Sequence, residues 1–180
     1  GFKVFVKSGA GSASSYSDAD YKKSGAQISS KLSDLYSKAN VVVKVQRPLK
    51  TKKINEFSYL KNCNILTLLY EQKFKVEFNS LKKLNVNVFA LEKMPRISRA
   101  QSMDILSSQS NLSGYKAVVD AASIFNKAFP LMMTSAGTVA PAKVLIIGAG
   151  VAGLQAIATA KRLGAVVSSF DVRSSTKEQV

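Results

Sequence analysis

The chain contains no histidine and a single cysteine, Cys63. A disulfide within the chain is therefore excluded, and so is a zinc site built from Cys and His. A nucleophile activated by histidine, whether serine or thiolate, is excluded as well. Cys63 borders an apolar block and reads as a small core residue. Acidic residues are also scarce, with 11 Asp and Glu against 26 Lys and Arg, which leaves a formal net charge of +15. Lys22, Lys23, Lys31, Lys38, Lys50, Lys52, Lys53, Lys61, Lys73, Lys75, Lys82 and Lys83 are spread over several amphipathic segments, without the aromatic-interleaved patch or motif of a nucleic-acid binder. No nucleic-acid partner is expected. The lysines read as solvated faces, and a basic face can also steer an anionic cofactor or dock near anionic lipid. No secretory signal or membrane span is visible in these residues.

The longest uncharged run, Val144 to Ala160, falls short of the about 20 residues a membrane helix needs. It also divides by character. Val144, Leu145, Ile146 and Ile147 form a short apolar block, glycines follow, and an Ala-rich segment then carries Leu154, Ile157 and Leu163 at helical spacing. Gly148-x-Gly150-x-x-Gly153 thus lies between a predicted strand and a predicted helix, the context in which that pattern binds a dinucleotide. Gly148 lets the chain turn out of the strand, Gly150 leaves space for a pyrophosphate against the backbone, and Gly153 lets helix and strand pack closely. The pyrophosphate would face the positive end of the helix dipole. After Lys161, Arg162 and Gly164, residues 165–170 predict a second strand that finishes at Asp171, where a carboxylate can take both ribose hydroxyls of an adenosine. Asp171 favours NAD over NADP by repelling a 2′-phosphate. Arg173 works the other way, because an arginine there can accept that phosphate.

The segment from Pro141 to Val180 has room for one strand–helix–strand unit, whereas a six-stranded doubly wound domain needs two halves and far more chain. The cofactor unit is expected to continue past Val180, and the start, which is a strand and turn with no initiating Met, is expected to be cut too. Upstream, Phe2 to Val6, Val41 to Val45, Ile65 to Leu69 and Val86 to Leu91 predict strands. Between them, "SSKLSDLYSKAN", "PLKTKKINEFSYLKN" and "QKFKVEFNSLKKLN" predict helices. Alternation of this kind implies an α/β chain: two Rossmann-like parallel-sheet units joined by a long helix, the second truncated at its C-terminal end. The divisions are residues 1–93, a loop and connecting helix over 94–130, and 131–180 as the opening segment of the cofactor unit. A cleft between two such units is where ligands usually lie.

The connecting segment begins with a polar loop holding Arg96, Ser98, Arg99, Gln101, Ser102, Asp104, Ser107, Ser108 and Gln109. It then carries an apolar stripe of Ile105, Leu112, Tyr115, Val118, Val119, Ala122 and Phe125 that Pro130 ends. The loop has two readings. It can be a capped helix start, with Ser102 or Asp104 satisfying free N–H groups. Alternatively, its Arg, Gln, Asp and Ser converge on a ring bearing a carboxamide.

"PRISRAQSMDILSSQSNLSGYKAV", "MMTSAGTVAPAKVLIIGAGVAGLQAIATAKRLGAVVSSFDVR" and "KEQV" resemble the NAD(H)-binding alpha domain of proton-translocating NAD(P) transhydrogenase, in the superfamily that also holds alanine dehydrogenase. The resemblance spans the chain and is most specific from Pro95 onward. It implies that Arg96, Gln101, Asp104 and Ser107 place the nicotinamide of NADH, and that Gly148, Gly150, Val151 and Gly153 form the glycine turn. Asp171 then holds the adenosine ribose with Arg173 beside it. It further implies hydride transfer from NADH to NADP+ held by another domain, coupled to proton movement through a membrane domain. A homodimer peripheral to a bacterial or mitochondrial inner membrane is implied too. A mobile loop that closes over the cofactor in the family would lie beyond Val180. Hydride exchange between two nicotinamides moves no substrate proton, so the absence of histidine fits, and Gln101 and Asp104 become positioning residues.

An alanine dehydrogenase-like oxidoreductase is the alternative. Relatives in that branch place a histidine just after the strand equivalent to "NILTLLY", where Tyr70 stands here. Lys44 matches their substrate-binding lysine, although inherited or surface charge is a simpler reading. A non-catalytic binding or assembly module is a third possibility, which cofactor affinity without hydride transfer would reveal.

Overall fold

The computed structural model describes residues 1–179, so Val180, which ends the "KEQV" match and the predicted cofactor unit, lies outside the described residues. The chain forms two compact units, residues 1–95 and the residues from Arg96 onward. Both are of the α/β class that the sequence predicts.

In the first unit, β1 (Phe5–Lys7) pairs in parallel with β2 (Gln27–Ser29) across helix α1 (Asp18–Lys23). Ser17 starts α1 with a capping box: its hydroxyl accepts from the Asp20 N–H at 3.2 Å, and its own N–H donates to the Asp20 carboxylate at 2.8 Å. Helix α2 (Leu32–Lys38) leads into a parallel three-stranded sheet of order β3 (Val41–Gln46), β4 (Asn64–Leu68), β5 (Asn87–Ala90), with α3 (Lys75–Lys83) crossing between β4 and β5. Central strand β4 turns Ile65 and Thr67 inward, and Leu69, Phe57, Leu60 and Leu81 complete that core. Cys63 packs partly buried against it, as a small core residue should.

The stretch 48–62, expected as a helix, is not one. It holds an isolated bridge between Lys50 and Asn55 and a single 3-10 turn at Glu56–Tyr59. Thr51 diverts the backbone: its hydroxyl accepts from the N–H of Ile54 at 3.0 Å and of Lys53 at 3.3 Å, a local turn that competes with helix. β2 escaped the sequence reading because it is three residues long and mostly polar.

The second unit opens with a 3-10 segment, Ser98–Met103, and helix α4 (Ile105–Ile124). An antiparallel hairpin, β6 (Met132–Thr134) and β7 (Gly137–Val139), follows; it is fully exposed and lacks the alternation that marks a half-buried strand. Then come β8 (Lys143–Ile147), α5 (Val151–Arg162) and β9 (Val166–Phe170), the predicted strand–helix–strand, with β8 and β9 parallel from Lys143 opposite Val166 to Ile147 opposite Phe170. Val118, Phe129, Ala142, Ala156 and Ala160 form its core.

Helix α4 packs on α5, but not through the whole predicted stripe. Leu112, Tyr115 and Phe125 are exposed, and the buried residues are Gly114 and Val118, four apart on one face. The reason is backbone proximity: a Cβ on Gly114 would stand 2.0 Å from the Ala152 carbonyl oxygen. Only a residue without a side chain permits this crossing. The helix starts at Asp104, whose carboxylate accepts from the Ser107 N–H at 3.0 Å and the Ser107 hydroxyl at 2.7 Å. Those two bonds, the hydroxyl first, hold the Asp104 carboxyl below its ordinary range, with Arg96 assisting.

Two outcomes follow for stability. Gly114→Ala should destabilise the protein by about 1–3 kcal/mol through overpacking, although helix propensity alone predicts a gain of about 0.8–1 kcal/mol; a raised urea midpoint would contradict the close crossing. Because its native pKa is depressed, Asp104 contributes stability above its unfolded-state pKa and loses it as the pH falls through the native value. The stability difference between wild type and Asp104→Asn should therefore shrink below about pH 4, and a difference constant from pH 7 to 2.5 would show that the charge is not what caps the helix.

Candidate functional site

The site is built at the C-terminal edge of β8. Gly148 follows the strand with φ +99°, a conformation that excludes ordinary side chains, and its N–H donates to the Phe170 carbonyl at 2.7 Å. A Cβ on Gly153 would lie 1.7 Å from the Gly148 carbonyl oxygen, so this glycine lets the helix start against the turn. Gly150 is different. Its φ of −79° and ψ of −171° suit any residue, and a Cβ there would meet nothing within 4 Å. The fold thus explains Gly148 and Gly153 and leaves open the space a Gly150 side chain would fill. That space lies at the start of α5, which has no side-chain cap and no acidic residue in its first turn. Unpaired N–H groups with a bare backbone approach suit an anionic group such as a pyrophosphate.

The Asp171 side chain, only 8% exposed, ties the next strand to this turn. Its carboxylate accepts from the Ala149 N–H at 2.7 Å and the Arg173 N–H at 2.8 Å. The Arg173 guanidinium adds two bonds at 3.1 Å each, from Nε and Nη2. The Arg173 side chain, then Ala149 and Arg173 backbone donors, hold the Asp171 carboxyl far below the usual carboxylate range. Asp171 is therefore ionised throughout the physiological range, as recognition of a ribose diol requires.

A cleft of about 360 Å³ opens beside the turn, lined by Arg96, Ser107, Ser110, Ile147 and residues 148 and 150–153. Of the sequence-predicted residues, the structure brings Arg96, Ser107, Gly148, Gly150, Val151 and Gly153 together there. Gln101 stands exposed on the 3-10 segment and does not line the cleft. Asp104 also lies outside the lining, its carboxylate turned to the α4 cap, so the capping reading of the polar loop holds for Asp104 and not for Ser102. Ala149 and Ser110 were missed. Ser110 follows Ser107 by three residues on one helix, a spacing that signals a shared face, whereas the backbone role of Ala149 leaves no trace in residue type.

Two residues of the first unit bear on the alternative chemistry. Tyr70 occupies a left-handed turn at φ +51°, its N–H donating to Glu92 at 2.6 Å, and has no imidazole to offer. Lys44 is not a loose surface charge, as the simpler reading had it. It is ion-paired with buried Glu56, which also accepts from the Leu49 N–H at 2.6 Å and the Tyr36 hydroxyl at 3.4 Å. Burial, together with the Glu56 charge, raises the Tyr36 phenol above its ordinary range. Among the described residues, no cluster of His, Cys, Asp and Glu could hold a metal ion, and no helix is long and apolar enough to cross a membrane.

Comparison with known proteins agrees with this geometry. Residues 1–113 match the family model described as alanine dehydrogenase/PNT, N-terminal domain, and residues 117–180 match its C-terminal domain counterpart. The chain is 53% identical over its whole length to the first portion of NAD(P) transhydrogenase subunit alpha of Rhodospirillum rubrum, a separate polypeptide of which it covers 47%. A solved transhydrogenase structure from Sinorhizobium meliloti superposes with TM-score 0.94 at 48% identity, over all of this chain and 51% of the other. A solved L-alanine dehydrogenase gives TM-score 0.84 at 26% identity, over 99% of this chain and 49% of the other. The chain spans about half the length of the relatives it matches. With both halves of the family's architecture matched and its glycine turn and terminal carboxylate in place, the chain belongs to the alanine dehydrogenase/PNT family.

Proposed function

We propose that this chain binds NADH and positions it for hydride transfer to NADP+ held by a partner domain, in an enzyme that couples the exchange to proton movement across a membrane. Gly150 carries the reading. It is a glycine the fold does not need, placed where a pyrophosphate would approach the start of α5, and one residue from the N–H that orients Asp171. The relatives' names, which include the alpha subunit of NAD(P) transhydrogenase, support this choice over amino-acid oxidation. So does Lys44, which is committed to Glu56 in place of a substrate carboxylate.

In this reading Gly148, Gly150, Val151 and Gly153 seat the pyrophosphate, Asp171 takes the adenosine ribose with Arg173 beside it, and Arg96, Gln101, Asp104 and Ser107 face the nicotinamide. The bound cofactor supplies the hydride. The residues around it bind, orient and exclude water, and none is required to move a proton. Asp104 fixes the start of α4, and with it Ser107 on the cleft wall, while exposed Gln101 is free to turn toward a carboxamide. The partners are a membrane proton-channel domain and an NADP(H)-binding domain of the same enzyme, with a second copy of this chain. The location is the face of a bacterial or mitochondrial inner membrane.

Gly150→Ala should leave stability within about 0.5 kcal/mol of wild type yet weaken NADH binding by roughly tenfold or more. Unfolding midpoint and calorimetric titration on the same preparation decide it, and unaltered affinity would remove the pyrophosphate from this turn. Gln101→Asn should slow hydride transfer to NADP+ in the assembled enzyme by roughly ten- to a hundredfold while changing NADH affinity little. Turnover equal to wild type would end the positioning role of Gln101.

A further inference from the structure

We infer that Arg173 occupies the ribose position of the adenosine pocket and must leave for NADH to bind, so that it sets NADH affinity from the unfavourable side. The inference rests on the NADH reading above and on a count of acceptor positions. An ionised carboxylate offers about four lone-pair directions. On Asp171, Oδ1 accepts from the Arg173 N–H at 2.8 Å and Arg173 Nε at 3.1 Å, and Oδ2 accepts from the Ala149 N–H at 2.7 Å and Arg173 Nη2 at 3.1 Å. All the directions are taken.

The two kinds of donor differ in what holds them. The backbone N–H groups belong to the glycine turn and to the chain after β9, and they fix how the carboxylate points. The guanidinium sits on a side chain that is 59% exposed, against 8% for Asp171. It can leave without disturbing the strands. Its paired donors also meet both carboxylate oxygens, as the 2′- and 3′-hydroxyls of an adenosine ribose would. A diol entering the pocket therefore finds its two acceptor positions filled by a side chain that presents the same donor pattern.

Displacement handicaps NADH by the strength of one partly exposed ion pair. It handicaps a 2′-phosphorylated cofactor less, because a released guanidinium beside the 2′ position gains a phosphate in exchange for the carboxylate. Arg173 thus narrows the preference for NADH that Asp171 creates.

Calorimetric titration of wild type and Arg173→Ala with NADH, NADPH and 5′-AMP tests this. The Kd of Arg173→Ala for NADH and for 5′-AMP, which carries the same ribose diol, should fall roughly two- to fivefold, with no fall for NADPH. In the wild type, the Arg173 Nε–H resonance should shift when NADH is added. Unchanged or weaker NADH binding by the variant, or an unmoved resonance in a wild type that binds NADH, overturns the displacement and leaves the NADH reading intact. A wild type that binds neither NADH nor 5′-AMP overturns that reading and this inference with it.

Discussion

The hydrogen bond from the Ala149 N–H to Asp171 is the link on which the site depends, because it joins the end of one strand to the end of the next. It exists only if β8 and β9 pair with Ile147 opposite Phe170, so that Gly148 can donate to the Phe170 carbonyl and bring Ala149 within reach. A slip of one residue would turn each β9 side chain to the opposite face and carry Asp171 away from the turn. The register in turn rests on α5. Ala156 and Ala160 let that helix lie close on the strands, and Gly153 lets its first turn touch the carbonyl of Gly148. Small residues on one helix thus place a carboxylate several ångströms away.

The strand–turn–helix–strand core of the second unit was legible because its signals are local and agree with one another. A β-branched block, glycines at fixed offsets, an alanine-rich helix and a terminal aspartate each name their own place. What escaped depends on partners distant in sequence or on very short elements. Nothing in residues 48–62 reveals that Thr51 will spend its hydroxyl on the backbone beyond it. The hairpin at Met132–Thr134 and Gly137–Val139 has both faces exposed, so it shows no alternation. The packed face of α4 was misjudged for another reason. Periodicity finds large apolar residues, whereas the real contact is centred on Gly114, where the absence of a side chain is what matters.

The polar loop before α4 shows how one residue serves two readings. Asp104 caps its helix through Ser107, as the plainest reading of Asp-x-x-Ser requires. That role does not compete with a place in the site. By fixing where α4 begins, the cap also fixes Ser107 and Ser110 on the wall of the cleft opposite the glycine turn. Arg96, at the head of the loop, lines the same wall. The loop is thus rigid where it meets the cleft, and its exposed residue, Gln101, is the one left with freedom to respond to a ligand.

The charge pattern of the second unit fits an anionic ligand better than the net charge alone suggests. A uniformly basic surface would attract phosphate anywhere, and a strongly acidic site would repel a dinucleotide. Here the one carboxylate nearest the turn is neutralised by its own neighbour, Arg173, and by two backbone N–H groups. Its charge is largely hidden until a ribose arrives. The bare start of α5 and Arg96 therefore present a positive face to the pyrophosphate during approach, and Asp171 enters recognition only at short range. Long-range attraction and short-range selectivity are carried by different groups, which lets the same turn gather dinucleotides broadly and sort them at the ribose.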